Sequence, residues 1–222
     1  MRVAIAGAGN VGRSIAGELL HNGHEVLLVD KDPRAIKAAT VPEAEWLFAD
    51  ACELSMLEEA ALEHCNVVIA ATGDDKVNLV VSLLAKTEFG VPRVVARVNH
   101  PMNEWLFNES WGVDVAVSTP RIMSALVEEA VSVGDLVRLF TFRQGEANLV
   151  ELTLPEDSPM VGTAIADVAW PVDTTLVSVI RGGHVHAPLP DLPLESHDEL
   201  LFVAAPEREE QLEELLSPHG AA

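Results

Sequence analysis

A glycine-rich turn near the amino terminus constrains this chain more than any other feature. The segment VAIAGAGNVGRSIAG, residues 3–17, runs from a short apolar stretch through Gly7, Gly9 and Gly12 into residues with helical spacing. The next apolar stretch, EVLLVD, ends on Asp30, 18 residues after Gly12. A strand, a glycine turn, a helix and a second strand that ends on an acid form the fingerprint of a dinucleotide-binding βαβ unit. We therefore expect a nucleotide to bind at this turn.

The alternation of strand and helix continues through the first half of the chain. Strands are predicted over residues 2–6, 25–30, 45–50, 66–72, 93–98 and 114–118. Because helices separate these strands and no hairpin signal intervenes, we expect an α/β, Rossmann-like fold with a doubly wound parallel sheet. This domain is predicted to occupy residues 1–118. Trp105 and Trp111 lie in the last predicted helix between strands and are expected to pack in the core.

The second half of the chain has a different pattern. Residues 119–132 predict an amphipathic helix, and residues 119–134 are expected to form a crossover helix and linker. From residue 135 to residue 222 the sequence is rich in short strands, and Gly182-Gly183 predicts a two-residue hairpin turn between two of them. A small α+β domain is therefore expected after the linker.

Composition excludes some classes of partner. The formal net charge of −21, from 35 acidic against 14 basic residues, argues against a nucleic-acid partner, which would need a basic surface. Only Cys52 and Cys65 are present, without an export signal, so a reducing cytoplasm is expected. No apolar run approaches the roughly 20 residues that a membrane helix needs, so direct membrane insertion is not expected.

The candidate ligand contacts follow the carboxyl ends of the predicted strands, where open α/β sheets bind ligands. The glycine turn offers backbone N–H groups to a phosphate at a helix start, and Asp30 is placed to receive ribose hydroxyls. The candidate cofactor-binding residues are Gly7, Ala8, Gly9, Asn10, Val11, Gly12, Asp30, Lys31, Asp50, Ala51, Thr72, Gly73 and Arg97.

Alternatives remain open for several polar residues near these positions. Asp50 either contacts adenine or ends its strand in solvent. Arg97 either reaches a phosphate or forms a structural ion pair. Asp74 or Asp75 is expected to cap the following helix rather than to touch ligand.

No catalytic residue and no metal ligand is predicted. His184 and His186 alternate on one strand, but no third ligand completes a zinc set. The chain has no Tyr and none of the GxSxG, HExxH or Walker motifs. The sequence therefore favours a protein that senses a nucleotide over one that uses it in catalysis, with an NAD-dependent oxidoreductase as the least favoured alternative.

Several segments, taken in order, resemble one family over nearly the whole chain. The segments are MRVAIAGAGNVG, GHEVLLVD, FADACELSMLEEA, VVIAATGDDKVNLVVSLLAK, VVARVNHPMNEWLF and WGVDVAVSTP. They look like the amino-terminal RCK (KTN) domain of the TrkA family, the cytosolic regulatory subunits of bacterial Trk and Ktr potassium uptake systems. The strand-rich remainder looks like the carboxyl-terminal RCK domain of the same family.

The resemblance implies a gating role for the nucleotide. Subunits would pair as dimers through a crossover helix over residues 119–132, and the dimers would assemble into a tetramer or octamer ring beneath a membrane-embedded potassium channel. The ligand would be NAD(H), or ATP or ADP, and cyclic di-AMP is a further candidate for the carboxyl-terminal domain. Carried over by position, Gly7 to Val11 would hold phosphates, Asp30 the ribose, Thr72 and Gly73 the flank of the ligand, and Arg97 a phosphate.

Two positions depart from the Ktr pattern. Ktr-type rings that respond to ATP often have an arginine between the second and third glycines. This chain has Asn10 at that position, as the TrkA branch does. Arg121 stands where Ktr-type proteins can have an acid that helps to hold a cation, so no metal site is carried over. The resemblance leaves a regulator of a cation/proton antiporter as the alternative to an uptake subunit.

Overall fold

The computed structural model describes residues 1–131, 133–142 and 147–217, which form two compact units. The first unit comprises Met1–Arg121 and the second Ile122–Ala222. The boundaries expected at residues 118 and 134 stay predictions. Among the described residues, no helix combines the length and the hydropathy that a membrane crossing requires.

A six-stranded parallel sheet forms the centre of the first unit. Its strands are β1 (Arg2–Ala6), β2 (Glu25–Asp30), β3 (Glu45–Phe48), β4 (Val67–Ala70), β5 (Arg93–Val98) and β6 (Val115–Ser118). They lie in the order β3-β2-β1-β4-β5-β6, and every neighbouring pair is parallel. This arrangement confirms the predicted Rossmann-like fold.

Helices bury both faces of this sheet. These helices are α1 (Asn10–His21), α2 (Leu54–Glu59) and α3 (Asp75–Thr87). A further helix, α4 (Thr119–Val131), follows β6 directly in the sequence. On one face Val68 and Val94 belong to a buried cluster with Val81 of α3. On the other face Ile5 and Leu28 share a cluster with α1. Coverage on both sides explains why the strands are apolar along nearly their whole length.

The segment that carries Trp105 differs from its prediction. Instead of one helix, the chain forms two 3-10 helices, Pro101–Leu106 and Glu109–Trp111, separated where the Asn108 side chain accepts from the N–H of Ser110 and starts the second. Trp111 packs against the core, but Trp105 is 74% exposed. The prediction that Trp105 packs in the core was wrong. It assumed one continuous helix, and the two short 3-10 helices do not turn Trp105 towards the core.

An antiparallel sheet of five strands forms the second unit. Its strands are β7 (Val137–Thr141), β8 (Asn148–Thr153), β9 (Thr174–Arg181), β10 (His184–His186) and β11 (Glu199–Ala204). They lie in the order β10-β9-β11-β8-β7. Gly182 and Gly183, with φ of +56° and +76°, make the predicted hairpin turn between β9 and β10. Helix α5 (Glu209–Leu216) contributes Leu212 to the core cluster of this sheet. A small α+β domain is thus confirmed.

A buried ion pair stabilises the loop that precedes β11. The carboxylate of Asp198 has no exposed surface and accepts from Nε and a terminal nitrogen of Arg181, at 2.7 and 2.8 Å. The hydrogen bond from Arg181 to Asp198 also raises the pKa of the guanidinium. Arg181 donates in addition to Glu195, whose side chain is 57% exposed.

Asp198 and Glu195 pair with the same arginine, one buried and one exposed, and so test how much burial adds to the contribution of an ion pair. We expect Asp198→Asn to lower the free energy of unfolding by about 3–5 kcal/mol, because it leaves a guanidinium without its buried counter-charge. Glu195→Gln, which removes an exposed partner of the same Arg181, is expected to cost about 1 kcal/mol or less. Urea unfolding of the two variants measures the difference, and equal losses would contradict it.

Candidate nucleotide-binding site

A cavity of about 630 Å³ opens at the carboxyl edge of the parallel sheet. It lies beside β1 and β4, where the strand order reverses and where open α/β sheets bind ligands. Its lining residues are Gly7, Gly9, Asn10, Val11, Val29, Asp30, Lys31, Asp32, Ala35, Ala49, Asp50, Ala51, Ala71, Thr72, Gly73, Asp74, Val77 and Arg97. The structure thus brings together at this cavity every predicted ligand contact except Ala8 and Gly12, which are buried. That these residues contact a ligand stays a prediction.

The three glycines of the turn have different physical roles. Gly7 has φ of +106°, and a Cβ there would lie 2.8 Å from the backbone nitrogen of Thr72. At Gly12 a Cβ would lie 1.9 Å from the carbonyl oxygen of Gly7, so α1 could not pack against the turn. A Cβ at Gly9 would meet nothing within 4 Å. Gly7 and Gly12 therefore close the turn, whereas Gly9 leaves backbone open beside the cavity.

The start of α1 offers unpaired donors to this cavity. No side chain caps the helix at Gly9, and the first N–H groups of a helix have no partner within it. Arg13 stabilises the turn from behind, donating to the carbonyl of Ala8 at 2.5 Å and to Oδ1 of Asn10 at 2.7 Å. The Asn10 side chain is therefore tied to its own helix. This geometry suits an anion at the helix start.

Asp30 connects the end of β2 to the glycine turn. Its Oδ2 accepts from the N–H of Ala8 at 2.7 Å, and its Oδ1 accepts from the N–H of Asp32 at 2.8 Å. A carboxylate has about four acceptor positions, so two remain for other donors. Asp30 therefore can receive hydroxyl groups without releasing the turn.

An ion pair between Lys31 and Asp50 joins the ends of β2 and β3 at the cavity wall. Nζ of Lys31 lies 2.9 Å from Oδ2 of Asp50, and Oδ1 of Asp50 accepts from the N–H of Cys52. The hydrogen bond from Lys31 lowers the pKa of Asp50, and the bond to Asp50 raises the pKa of Lys31. Asp50 is thus half-buried and paired, and whether it also contacts adenine stays a prediction.

A buried asparagine that the sequence analysis missed positions two predicted residues. Asn78 of α3 has no exposed surface. Its Oδ1 accepts from both the backbone N–H and the hydroxyl of Thr72, at 2.9 and 2.6 Å, and its Nδ2 donates to the carbonyl of Arg97 at 2.8 Å. A polar residue on the apolar face of a helix was the available signal. Without Asn78, the ends of β4 and β5 would lose the hydrogen-bonding side chain that they share.

The two acids after β4 have different roles. Asp74 accepts from the N–H of Lys76 and caps α3, as predicted. Asp75 is 8% exposed and accepts from the N–H groups of Asn99 and His100, and from Nδ2 of Asn103, at 2.7, 3.0 and 2.9 Å. Burial of Asp75 opposes its ionisation, but these hydrogen bonds outweigh burial and lower its pKa. Asp75 therefore holds the loop after β5 beside the cavity.

Arg97 makes no ion pair with an acid in the part of the chain that the structure describes. Its Nε donates instead to the hydroxyl of Thr119 at 3.2 Å. Arg121 pairs with Glu104 at 2.9 Å. No group of three or more His, Cys, Asp or Glu side chains within residues 1–131, 133–142 and 147–217 is placed to hold a metal ion.

Comparison with known proteins decides the family. The family model for the TrkA-N domain matches residues 3–119, and that for the TrkA-C domain matches residues 149–217. The Trk system potassium uptake protein TrkA of Mycobacterium tuberculosis (strain ATCC 25618 / H37Rv) is 60% identical over 218 residues, which cover 98% of this chain and 99% of that protein. The chain belongs to the TrkA family. The resemblance inferred from the sequence segments is thereby confirmed.

Other members and structural neighbours of the TrkA family differ in length. The Trk system potassium uptake protein TrkA homolog of Archaeoglobus fulgidus is 30% identical over 221 residues, and this chain spans 50% of its length. The GsuK channel bound to NAD has a TM-score of 0.69 at 17% identity, over 98% of this chain and 40% of that chain. The latter likeness concerns the fold alone.

The hydrogen bonds of Asp75 predict a pH-dependent contribution to stability. Its folded pKa lies below the ordinary 3.8, so its contribution is complete above about pH 5 and is lost as the pH falls through the folded pKa. We expect Asp75→Asn to lower the free energy of unfolding by about 2–3 kcal/mol at pH 7. The loss should shrink below about pH 4.

Urea unfolding at pH 7, 5 and 3.5 measures this loss. Asp74→Asn is the matched control, because asparagine caps a helix as well as aspartate does, and its cost at pH 7 is expected to stay within about 0.5 kcal/mol. A loss for Asp75→Asn that is the same at every pH would contradict the assignment.

Proposed function

We propose that this chain is the nucleotide-binding regulatory subunit of a bacterial potassium uptake system. The observation that carries the proposal is the cavity in which the start of α1, Asp30 and Arg97 face one space. The M. tuberculosis relative is named as a potassium uptake protein, which supports potassium as the transported ion. The NAD-bound GsuK channel supports a nucleotide as the signal.

The charges of the cavity favour NAD(H), ADP or ATP with a free ribose. Asp30 is placed for ribose hydroxyls and would repel a phosphate on the same ribose, as would Asp32 beside it. Lys31, which could attract such a phosphate, is engaged by Asp50. We therefore propose that NAD(H) binds in preference to its 2′-phosphorylated form. Cyclic di-AMP is the candidate ligand for the second unit.

The nucleotide acts here as a signal rather than as a reactant. Among the described residues, the cavity wall contains no His or Tyr, and the acid or base in hydride transfer is usually one of these residues or a Lys. The one Lys in that wall is paired with Asp50. The proposed role is therefore non-enzymatic.

The proposed assembly is a cytoplasmic ring that docks on a membrane-embedded potassium channel. Residues 1–118 would bind the nucleotide, and residues 119–134 would join paired subunits. Residues 135–222 would form the regulatory domain. Helix α4 supports the pairing, because Met123, Leu126 and Val127 on it are 62%, 55% and 59% exposed. An exposed apolar stripe of this kind marks a protein contact surface. A tetramer or an octamer built from such dimers would surround the channel axis.

Nucleotide binding is tested with NADH, NADPH, ADP, ATP and cyclic di-AMP by calorimetry and thermal shift. We expect NADH to bind at least tenfold more tightly than NADPH. Asp30→Ala should weaken NADH binding by at least tenfold, because the ribose and the N–H of Ala8 in the glycine turn both lose their acceptor. Asp167→Ala, which removes an exposed acid of the second unit, should leave affinity unchanged. Steady oxidation of NADH with a small carbonyl compound would overturn the non-enzymatic role.

Potassium uptake is tested in the cell. Deleting the gene is expected to reduce the initial rate of rubidium uptake, a tracer for potassium, by several fold, and a plasmid copy should restore it. The Asp30→Ala copy should restore it only in part, because the signal is no longer bound. Unchanged uptake together with co-purification of an antiporter would favour the regulator of a cation/proton antiporter.

A further inference from the structure

Arg97 links the wall of the cavity to the first residue of α4. It lies near the carboxyl end of β5 and lines the cavity. Asn78 holds its backbone carbonyl, and its Nε donates to Oγ1 of Thr119, where α4 begins. One side chain thus contacts both the proposed ligand space and the start of a helix that leaves the sheet.

The terminal nitrogens of Arg97 are available to a phosphate. Within the described residues, the guanidinium makes one hydrogen bond to the protein, through Nε. The other cations near the cavity are engaged: Lys31 by Asp50, and Arg13 by the turn that it supports. A guanidinium presents its N–H groups in a rigid plane, so two terminal nitrogens can bind a phosphate on one side while Nε donates on the other.

The bond to Thr119 is one that a ligand can change. At 3.2 Å it lies at the long end of the range for an N–H···O bond. A phosphate that draws the planar guanidinium towards the cavity must therefore either lengthen this bond or pull the start of α4 with it. Either result makes the state of α4 differ between the free and the bound protein, which is the condition for a ligand to shift it.

A second polar connection reaches the same turn of α4 through the loop after β5. Arg121 pairs with Glu104 of the 3-10 helix Pro101–Leu106. In the same 3-10 helix Asn103 donates to Asp75, which follows the cavity-lining residue Asp74. Two polar contacts therefore hold the start of α4 near the cavity. Among the described residues that line the cavity, Arg97 is the only cation without an acidic partner.

We propose that Arg97 and Thr119 together couple phosphate binding in the cavity to the first turn of α4, with Thr119 as the positioning residue. This inference rests on the proposed nucleotide binding and names how that binding is transmitted. A ligand that fills the adenine and ribose positions without a phosphate should bind without changing α4. A ligand with a pyrophosphate should change it.

Hydrogen exchange followed by mass spectrometry tests this coupling in the full chain. NADH at saturation is expected to change the exchange rate of the peptide covering residues 119–127 by at least threefold. Adenosine at saturation should protect the peptides around Asp30 and Asp50 but leave residues 119–127 unchanged.

Variants separate coupling from binding. Thr119→Val keeps the shape of the side chain and removes the hydroxyl, so we expect NADH affinity within about threefold of the original and no NADH-dependent change at residues 119–127. Thr119→Ser keeps the hydroxyl and should retain the change. Arg97→Gln should weaken NADH binding at least tenfold and leave adenosine binding intact, whereas Arg93→Gln, an exposed arginine of the same strand, should alter neither.

The outcomes distinguish this inference from the proposed function. NADH that binds without affecting residues 119–127, or an effect that survives Thr119→Val, would overturn the coupling and leave nucleotide binding standing. An equal effect of adenosine and NADH would also overturn it, and this comparison needs no variant to fold. Failure of every nucleotide to bind would overturn the proposed function, and the coupling with it.

Discussion

The hydrogen bond from the N–H of Ala8 to the carboxylate of Asp30 joins the two halves of the cavity. Together with the backbone bond from the N–H of Gly7 to the carbonyl of Val29, it ties the glycine turn after β1 to the end of β2. The bond is short, at 2.7 Å, and its acceptor is charged, which makes it stronger than a neutral one. It also leaves Asp30 with acceptor capacity that faces the cavity. The same interaction therefore organises the fold locally and prepares the ligand position.

Buried polar side chains extend this organisation along the carboxyl edge of the sheet. Asn78 and Asp75 lie at the start of α3 and are almost inaccessible to solvent. Asn78 bonds to Thr72 after β4 and to the carbonyl of Arg97 near the end of β5, whereas Asp75 bonds to the loop after β5. Backbone groups at strand ends have lost their ladder partners and need such acceptors and donors. The edge of this largely apolar sheet where the cavity lies thus carries a network of buried polar side chains.

The second unit is built on a different balance. Its antiparallel sheet buries Val150, Leu152, Leu200 and Phe202 on one face, and one buried ion pair, between Arg181 and Asp198, secures the loop before β11. A hairpin with two glycines in the left-handed region ends the sheet at β10. These features stabilise a compact unit.

The sequence by itself determined the architecture and most of the residues around the cavity. Glycine spacing, apolar runs and the acid after β2 are local patterns, and parallel strands place their carboxyl ends at one edge, so Asp30, Thr72 and Arg97 could be predicted to converge. Only the tertiary structure decided which partners these side chains take. Asn78, 19 residues from Arg97, positions it, and Thr119, 22 residues away, accepts from it. Likewise Trp105 turned out to be exposed, because where a segment breaks into 3-10 turns depends on hydrogen bonds to side chains such as Asn108, which spacing does not reveal.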